Sequence, residues 1–341
     1  MRVAPPGFAI PRPMKLSVII LNWNGRRHLE ACLPALAAQT LAGFETIVVD
    51  NASQDDSVEY VRQQFPWVRL VVLTENRGFS GGNAAGLRAI AFNTELVALL
   101  NNDTAPEPAW LEHLEAAARA HPDCGAIASL IVTWDGATID SAGDGILVTG
   151  SGFQRYHLRE RSCAPPSGYV FGACGGAVLY RRSMLNEVGF LDERFFMNSE
   201  DTDLCFRARL AGWQVWYCAE AVVRHRVSAS QGVWSERTVF LNQRNHLWLV
   251  TKCMPGRLLV KYSWAHVLEH CRHGIFFARR SRLMPWLQGG WAGVTGMGPF
   301  LKERKRLQAS RRVKLGNLEK LFSMKPLFGF EDDSHGSDVH E

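Results

Sequence analysis

Short apolar runs alternate with amphipathic stretches over the first part of the chain. The apolar runs predict strands at 16–21, 44–49, 68–73 and 97–100, and the amphipathic stretches predict helices at 27–38, 55–64, 83–92 and 108–120. Strands that alternate with helices form βαβ units, whose right-handed crossovers build a parallel sheet. The pattern therefore predicts an α/β fold with a mostly parallel, Rossmann-like sheet flanked by helices.

Polar residues follow each of these predicted strands, in the segments 22–25, 50–53, 75–78 and 101–103. Open α/β sheets bind ligands at the carboxyl ends of their strands, so we expect the four loops to meet at one crevice. Asp103 ends the run Asn101-Asn102-Asp103, and a carboxylate at that place suits Mg²⁺ or Mn²⁺ holding phosphate oxygens. The alternative is that these residues only form a turn.

The hydrogen-bonding groups of the first two loops suit a nucleotide. Asp50 can accept a hydrogen bond from a pyrimidine ring N–H or a ribose hydroxyl, while Asn22 and Asn24 offer both donors and acceptors. Ser53 and Asp55 can equally be the N-cap and first turn of the following helix. These loops therefore predict a nucleotide site, with Asp50 as its main acceptor.

The glycine-rich run 77–83 combines a cation with glycines and the start of a predicted helix. Backbone can approach a ligand closely there, and a helix N-terminus attracts anions, which favours binding of a phosphate or sugar. The run lacks the GK[ST] ending of a Walker loop. The first strand is not followed by a Gly-x-Gly-x-x-Gly motif, which argues against a dehydrogenase.

An acidic helix is predicted at 199–211, with Ser199 as its N-cap. Helical periodicity places Asp201 beside the apolar side, so we expect it to face inward, where it can act as a general base. Asp203 points elsewhere, and Arg207 four residues later predicts a surface ion pair with it. The alternative is that the acids of this first turn only complement the helix dipole.

The 341 residues can bury a large core, and the net charge of +5 hides an uneven distribution. Segment 252–325 holds sixteen Lys or Arg residues against three Glu, a balance of +13, and the rest of the chain carries −8. Trp264, Trp286 and Trp291 lie among these cations, a combination typical of helices at a membrane interface. A solvated helical bundle is the alternative, and nucleic-acid binding lacks a recognised module.

Two further features bear on localisation. The uncharged run 283–301 is about long enough to span a bilayer, but Pro285, Gln288, Pro299 and five glycines argue against a transmembrane helix. The eight cysteines are widely spaced, with no CxxC pair and no disulfide framework. We therefore expect a cytoplasmic protein.

Six segments occur in a fixed order: SVIILNWNG, IVVDNAS, ENRGFSGGNAAG, LLNND, GFLDERFF and EDTDLCFRARLAG. Together they resemble the motifs of family 2 glycosyltransferases, and the glycine-rich segment is similar to the branch of bacterial rhamnosyltransferases that build cell-surface polysaccharides. The resemblance covers about 16–226, and the last hundred residues match only in being basic and aromatic. It implies an A-type glycosyltransferase fold with a C-terminal helical, basic, membrane-associating region.

The resemblance also implies roles for single residues. Asp201 would be the catalytic base, and Asp103 would bind Mg²⁺ or Mn²⁺ as the last position of an Asp-x-Asp-like motif whose first position is Asn101 here. His225 would complete the metal site. The sugar donor would contact Asn22, Asn24, Asp50, Asn51, Arg77, Gly78, Phe79, Gly82, Asn83 and Asn102. The acceptor side would include Glu200, Gly175 and Gly176.

The implied function is an inverting, metal-dependent glycosyltransferase at the inner face of the cell membrane. It would transfer a sugar, rhamnose from dTDP-rhamnose by the branch resemblance, to a hydroxyl of a cell-surface glycan or lipid-linked saccharide. One alternative is a catalytically weak nucleotide-sugar-binding scaffold protein, since Asn101 stands where an acid is common. The other is a nucleotidyltransferase, although the first strand lacks the basic glycine-rich loop that would hold a triphosphate.

The chain is expected to divide into five parts. A flexible leader and a disordered acidic tail would enclose two halves of one domain and a helical region. The parts are a leader at 1–14, a nucleotide-sugar-binding α/β half at 15–125, an acceptor-binding and catalytic half at 126–250, a basic and aromatic helical region at 251–328, and a tail at 329–341.

Overall fold

The computed structural model describes residues 15–226 and 234–324, so the predicted leader and tail lie outside the described residues. The strands are β1 (Leu16–Asn22), β2 (Glu45–Asp50), β3 (Arg69–Val72), β4 (Leu96–Asn101), β5 (Thr104–Pro106), β6 (Cys124–Thr133), β7 (Ile139–Ala142), β8 (Asp144–Leu147), β9 (Gly152–Gln154), β10 (Gly168–Tyr169), β11 (Ala177–Arg181), β12 (Gln214–His225) and β13 (Phe322–Ser323). The helices are α1 (Arg26–Ala37), α2 (Ser57–Gln64), α3 (Gly78–Ala89), α4 (Trp110–Ala120), α5 (Arg182–Val188), α6 (Glu200–Leu210), α7 (Glu236–Cys253), α8 (Gly256–Lys261), α9 (Ser263–Arg279), α10 (Leu283–Thr295), α11 (Gly298–Ala309) and α12 (Leu315–Glu319).

The described chain forms one large mixed sheet with the strand order β10-β12-β6-β11-β4-β1-β2-β3. The strands β4, β1, β2 and β3 are parallel, as the alternating pattern predicts. β11 runs antiparallel to both of its neighbours, β4 and β6, while β12 is parallel to β6. The prediction of a mostly parallel α/β sheet is therefore confirmed.

The sheet has a buried apolar layer on each face. Val18 and Ile20 of β1 pack with α1 and α4 on one face, and Ile19 packs on the other face with residues of α3 and α6. Alternate residues of a strand point to opposite faces, so a central strand covered on both sides must be apolar throughout. This is the reason that the strand predictions from continuous apolar runs succeed.

The start of the helix predicted at 83–92 is wrong, because α3 begins at Gly78 and includes most of the glycine-rich run. The glycines let the helix approach the sheet closely. A Cβ at Gly82 would lie 2.2 Å from Leu21 Cδ1, and one at Gly86 would lie 2.4 Å from Ile19 Cγ2. Close packing on β1 thus outweighs the low helix propensity of glycine.

Helices α7 to α12 form the C-terminal helical region that the sequence predicts. It is joined to the α/β part by a shared apolar cluster that includes Phe195, Phe206, Trp248 and Phe300. β13 adds a parallel strand to the β8–β9 hairpin, so the end of the described chain pairs with its middle. In the described residues, no helix combines the length and the apolar character that a membrane span requires.

The predicted ion pair of Asp203 with Arg207 forms, but its predicted position on the surface is wrong, because both side chains are buried. Arg207 Nε donates to Asp203 Oδ2 at 2.8 Å, and Lys252 Nζ of α7 donates to the same oxygen at 3.0 Å. Lys252 also donates to Asp192 Oδ2 at 2.8 Å. The helical periodicity places Asp203 and Arg207 on one face of α6 correctly, but α7 covers that face and excludes solvent from it.

Ser199 occupies the predicted N-cap position, since α6 begins at Glu200, but it does not cap the helix with its side chain. Ser199 adopts a left-handed conformation with φ of 69°, and its side chain makes no capping hydrogen bond. An N-cap side chain reaches the helix only from an extended backbone conformation. Helix capping by Ser199 therefore does not determine the conformation of the loop before α6.

We expect Lys252→Met to lower the free energy of unfolding by about 3–5 kcal/mol, since the change leaves the buried Asp203 with one cation in place of two. Denaturant unfolding of the full chain measures the effect. Lys261→Met is the matched control, because Lys261 forms an exposed pair with Glu319, and such pairs contribute about 0–1 kcal/mol. Equal stability of the two variants would contradict a structural role for the buried network.

Candidate functional site

A cavity of about 380 Å³ opens at the carboxyl edge of the parallel strands. Its lining contains six of the residues singled out from the sequence: Asn24, Asn51, Gly78, Phe79, Asn102 and Asp103. The strand register explains this convergence, since Asn22 of β1 pairs with Asp50 of β2, and Leu21 pairs with Asn101 of β4. The loops after β1, β2 and β4 therefore leave the sheet at one level.

The wall of the cavity is built on a chain of side-chain hydrogen bonds. Asn102 Nδ2 donates to Asn22 Oδ1 at 2.8 Å, and Asn22 Nδ2 donates to Asp50 Oδ2 at 3.1 Å. Asp50 Oδ1 accepts from the backbone N–H of Ser53 at 2.9 Å. Asp50 is buried and holds both neighbouring loops, while its contact with a nucleotide stays a prediction.

Asn51 fixes the turn that precedes α3. Its Nδ2 donates to Asn76 Oδ1 at 3.0 Å and to the carbonyl of Gly78 at 3.1 Å, and its Oδ1 accepts from the N–H of Arg77 at 2.9 Å. Gly78 has φ of +67°, and a Cβ there would lie 2.3 Å from the carbonyl oxygen of Phe196. The turn therefore requires glycine at this position.

Three residues of the predicted sugar-donor set make contacts within the protein and do not line the cavity. Arg77 is partly exposed and lies 3.4 Å from Glu75 Oε1, measured from its Nε. Asn83 is buried and donates to the carbonyl of Phe79 at 3.0 Å, within its own helix. Gly82 packs against Leu21. Gly82 and Asn83 thus take part in packing α3 on the sheet, while their contact with a sugar donor stays a prediction.

The two predicted metal ligands lie together, at the ends of neighbouring segments. His225 pairs in β-register with Thr104, so its Nε2 comes within 3.3 Å of Asp103 Oδ1. His225 Nδ1 lies 2.8 Å from Asp140 Oδ2. A carboxylate on the second ring nitrogen orients many metal-binding histidines. Sequence analysis missed Asp140, because nothing near it in the chain marks it as a partner of His225.

The donor set fits a divalent cation. Asp103 Oδ1 is buried, and the group that faces it is the imidazole of His225, whose Nε2 lies 3.3 Å away. Burial lowers the pKa of His225, but the hydrogen bonds and charges of Asp103 and Asp140 outweigh it and raise the pKa to about 9. Asp103 and His225 are therefore the residues that would hold Mg²⁺ or Mn²⁺, with the ion replacing the ring proton.

Asp201 lies at the N-terminal end of α6 and next to the cavity. Its Oδ2 accepts from the N–H of Gly175 at 3.1 Å, and its Oδ1 accepts from the N–H of Thr202 at 2.6 Å. A Cβ at Gly175 would lie 3.3 Å from the Phe79 ring and 3.6 Å from Asp201 Cβ. Phe79 lines the cavity, so Asp201 is separated from the cavity lining by Gly175.

A second carboxyl group, that of Asp144, lies close to Asp201. Ligand atoms of Asp144, Cys174 and Asp201 lie within 4.8 Å of one another. Burial and the charge of Asp201 raise the pKa of Asp144 to about 8, and burial above all raises the pKa of the Cys174 thiol. Mg²⁺ and Mn²⁺ prefer oxygen ligands, which Asp144 and Asp201 offer and Cys174 does not, so this group is a second candidate for a metal site.

The predicted acceptor residues Gly176 and Glu200 lie outside the lining of the cavity. Gly176 accepts the N–H of Asn101 at 2.8 Å through its carbonyl, at the start of β11. Glu200 is buried, and its Oε2 has no hydrogen-bond partner within the described chain. Burial and the charge of Asp201 raise the pKa of Glu200 to about 8. A contact of Glu200 with the acceptor stays a prediction.

The loop before α6 is strained and held from outside. Left-handed conformations occur at three of its residues, with φ of 67° to 70°: Phe196, Asn198 and Ser199. The buried Asn245 of α7 places Nδ2 within 3.0 Å of the carbonyl oxygens of Phe195, Met197 and Asn198. Its two hydrogens can satisfy two of them at a time. Strain of this kind persists only where surrounding contacts hold it.

Helix α7 also supplies a cation to the cavity. Arg237 lines it, and the guanidinium lies 4.6 Å from the centre of the Phe196 ring. Sequence analysis missed Arg237 and Asn245, since both belong to a polar and aromatic stretch with no motif of its own. Only the packing of α7 brings them to the site.

Comparison with known proteins adds a family match. A family model described as "Glycosyltransferase like family 2" matches residues 11–247. The N-acetylglucosaminyl-diphospho-decaprenol L-rhamnosyltransferase of Mycobacterium tuberculosis is 30% identical over 241 residues, which cover 64% of this chain and 78% of that protein. The O-antigen biosynthesis protein RfbC of Myxococcus xanthus is 28% identical over 226 residues, which cover 64% of this chain and 18% of that protein.

Solved structures share the fold. GalNAc-T7 with UDP, GalNAc and Mn²⁺ matches with a TM-score of 0.57 at 14% identity, covering 71% of this chain and 48% of that one. Staphylococcus aureus TarS in complex with UDP-GlcNAc matches with a TM-score of 0.56 at 18% identity, covering 87% of this chain and 84% of that one. At these identities the likeness shows that the architecture is the same.

We expect Asp140→Asn to weaken Mn²⁺ binding about 10–100-fold, because the change removes the charge that orients His225. Calorimetric titration with Mn²⁺ in the presence of UDP measures the affinity. Asp135→Asn is the control, since Asp135 lies exposed in the turn before β7, and we expect it to bind Mn²⁺ like the unaltered protein. Unchanged affinity in Asp140→Asn would show that Asp140 does not support a metal ligand.

Proposed function

Because the chain belongs to glycosyltransferase family 2, we propose that it transfers a sugar from a nucleoside-diphosphate donor to an acceptor hydroxyl with inversion. One arrangement supports the proposal: Asp103 lines the cavity with His225 3.3 Å away, and Asp201 lies against Gly175, which packs on the cavity-lining Phe79. A base and a site for the leaving diphosphate are the two requirements of a single displacement.

In the proposed reaction, Asp201 accepts the proton of the acceptor hydroxyl as that oxygen bonds to the anomeric carbon. The bond from the anomeric carbon to the phosphate oxygen breaks, and its electron pair leaves with the nucleoside diphosphate. A divalent cation held by Asp103 and His225 would supply charge neutralisation to that diphosphate. The N–H of Gly175 holds Asp201 Oδ2 in place, and Arg237 adds a positive charge to the cavity wall.

The substrate proposal follows the relative from Mycobacterium tuberculosis, whose name describes rhamnosyl transfer to N-acetylglucosaminyl-diphospho-decaprenol. We propose rhamnose from dTDP-rhamnose as the sugar and a lipid-linked saccharide as the acceptor. Two alternatives remain as outcomes of the test. A scaffold protein would bind nucleotide sugars without forming product, and a nucleotidyltransferase would release pyrophosphate from a nucleoside triphosphate.

We expect Asp201→Asn to lower turnover about 10²–10⁴-fold while nucleotide affinity stays unchanged, since the change removes the base but keeps its shape. A panel of nucleotide sugars with mass detection of the product measures turnover. Asp56→Asn is the control, because Asp56 is an exposed carboxylate at the start of α2. Near-normal turnover of a folded Asp201→Asn protein would contradict the base assignment.

We also propose that the helical region binds the cytoplasmic face of a membrane. Large apolar side chains are exposed on α9 and α10, among them Trp264, Met284 and Trp291, which is 73% exposed. The exposed Arg279 and Arg280 lie between these two helices. Aromatic rings beside cations suit the headgroup zone of an anionic bilayer.

Replacing Arg279 and Arg280 together with Gln is expected to weaken binding to anionic liposomes about thirtyfold, because each cation near an anionic surface contributes about 1 kcal/mol. Cosedimentation at low salt measures binding. The matched control replaces Arg62 and Arg69, two exposed arginines of the α/β part, with Gln. If the unaltered protein stays in the supernatant, the membrane proposal fails.

A further inference from the structure

Two connected cavities lie between α7, α9 and α10, outside the site described above. The smaller has a volume of about 270 Å³ and the larger about 690 Å³. Both are lined by His246 of α7 and Trp286 of α10, so they form one groove, called here the helical groove. The catalytic proposal does not use it.

The helical groove begins next to Asp201, the proposed catalytic base. Its smaller part is lined by Ser199, the residue before α6, and by Gly152, where a Cβ would lie 2.8 Å from Thr202 Oγ1. Thr202 follows Asp201 and donates its N–H to that carboxylate. The inner end of the groove is therefore adjacent to the side of α6 on which an acceptor hydroxyl must arrive.

Helix α7 connects the groove with the sugar-donor cavity. Arg237 lines the donor cavity, Val239 lines the smaller part of the groove, and Val250 lines the larger part. At 1.5 Å per residue, the distance along the helix from Arg237 to Val250 is about 20 Å. A ligand with a sugar at Asp201 and a long extension along α7 would occupy both sites.

The lining of the larger part is apolar and carries no charge at neutral pH. Leu247, Val250, Val267 and Ile275 supply most of it. Burial lowers the pKa of His246 to about 3, and it also lowers the pKa values of His266 and His270, so these side chains are neutral. Such a lining is matched to hydrocarbon rather than to a sugar or a nucleotide.

The outer end of the helical groove meets the exposed apolar surface. Val267 is 64% exposed and Ile275 is 55% exposed, on the same helix that carries Trp264 and ends at Arg279. The smaller part of the groove is more polar, since its lining includes Ser151, whose Oγ donates to the buried carboxylate of Glu269 at 2.9 Å. Contacts with hydrocarbon therefore belong to the larger part, which runs out to the exposed apolar surface. The groove is continuous with the acceptor side at one end and with the apolar surface at the other.

From this arrangement we infer that the helical groove binds the polyprenyl chain of a lipid-linked acceptor, with the acceptor sugar at Asp201. The inference rests on the proposed glycosyl transfer. It adds to the proposed lipid-linked acceptor a binding site for the lipid chain, which lies between α7 and α9 and is bordered by Trp286 where its two parts adjoin.

Two variants test the groove without touching the catalytic residues. Gly274→Leu directs a side chain across it, since a Cβ at Gly274 would lie 3.4 Å from the Trp286 ring. Val267→Asp places a charge on its exposed lining. The matched controls are Gly316→Leu, where no atom lies within 4 Å of the added Cβ among the described residues, and Val260→Asp on α8, an exposed valine outside the groove.

The acceptors are N-acetylglucosamine linked through diphosphate to decaprenol and the same compound with a two-isoprene chain. We expect Gly274→Leu and Val267→Asp to raise KM for the decaprenyl acceptor about tenfold or more, since even one methylene in an apolar pocket changes specificity by that amount. KM for the short acceptor and for the sugar donor, as well as both control variants, should stay unchanged. An unchanged KM, or an equal rise for both acceptors, overturns the inference.

Direct binding separates this inference from the proposed function. A fluorescent decaprenyl diphosphate is titrated into the full chain and into the same four variants. If the unaltered protein transfers no sugar but binds this probe, and Gly274→Leu weakens the binding, the groove is retained and the proposed transfer fails. If the protein transfers sugar equally well to both chain lengths and does not bind the probe, the transfer is retained and the groove assignment fails.

Discussion

The parallel register of β1, β2 and β4 is the constraint on which the rest of the site depends. Asn22 and Asp50 pair across two strands, and Asn101 lies opposite Leu21, so three polar strand ends reach one level. Backbone hydrogen bonds and two apolar layers hold that register, because a shift by one residue would turn buried side chains toward the other face. The cavity, the amide chain and the position of Asp103 all follow from it.

Helix α7 has the second decisive role, because it holds the loop before α6 in place from outside the sheet. Asn245 donates hydrogen bonds to backbone carbonyls of the strained loop before α6, and Lys252 neutralises the buried Asp203 of α6. The family model ends at residue 247, so Lys252 lies beyond the matched segment while Asn245 lies within it. The C-terminal helices are thus part of the architecture that orients Asp201, besides offering a surface and a groove.

Much of the site could be predicted because its signals are local. Short stretches of apolar and polar residues indicate the strand ends at Asn22, Asp50 and Asn101 and the acidic start of α6. The glycine-rich run was harder, since glycine predicts a loop while contact with Leu21 and Ile19 makes the run helical. Asp140, Asn245 and Arg237 carry no local signal, and they join the site only through distant packing.

The sequence by itself determined the sheet, the four polar strand ends and the helix that carries Asp201, since periodicity and strand ends are properties of neighbouring residues. Tertiary structure alone decided which acids are buried and what they meet. Asp203 bonds Lys252 at a separation of 49 residues, and Asp140 meets His225 at a separation of 85. The packing of whole helices and strands brings such distant partners together. The pattern of a single helix face or strand end does not predict that packing.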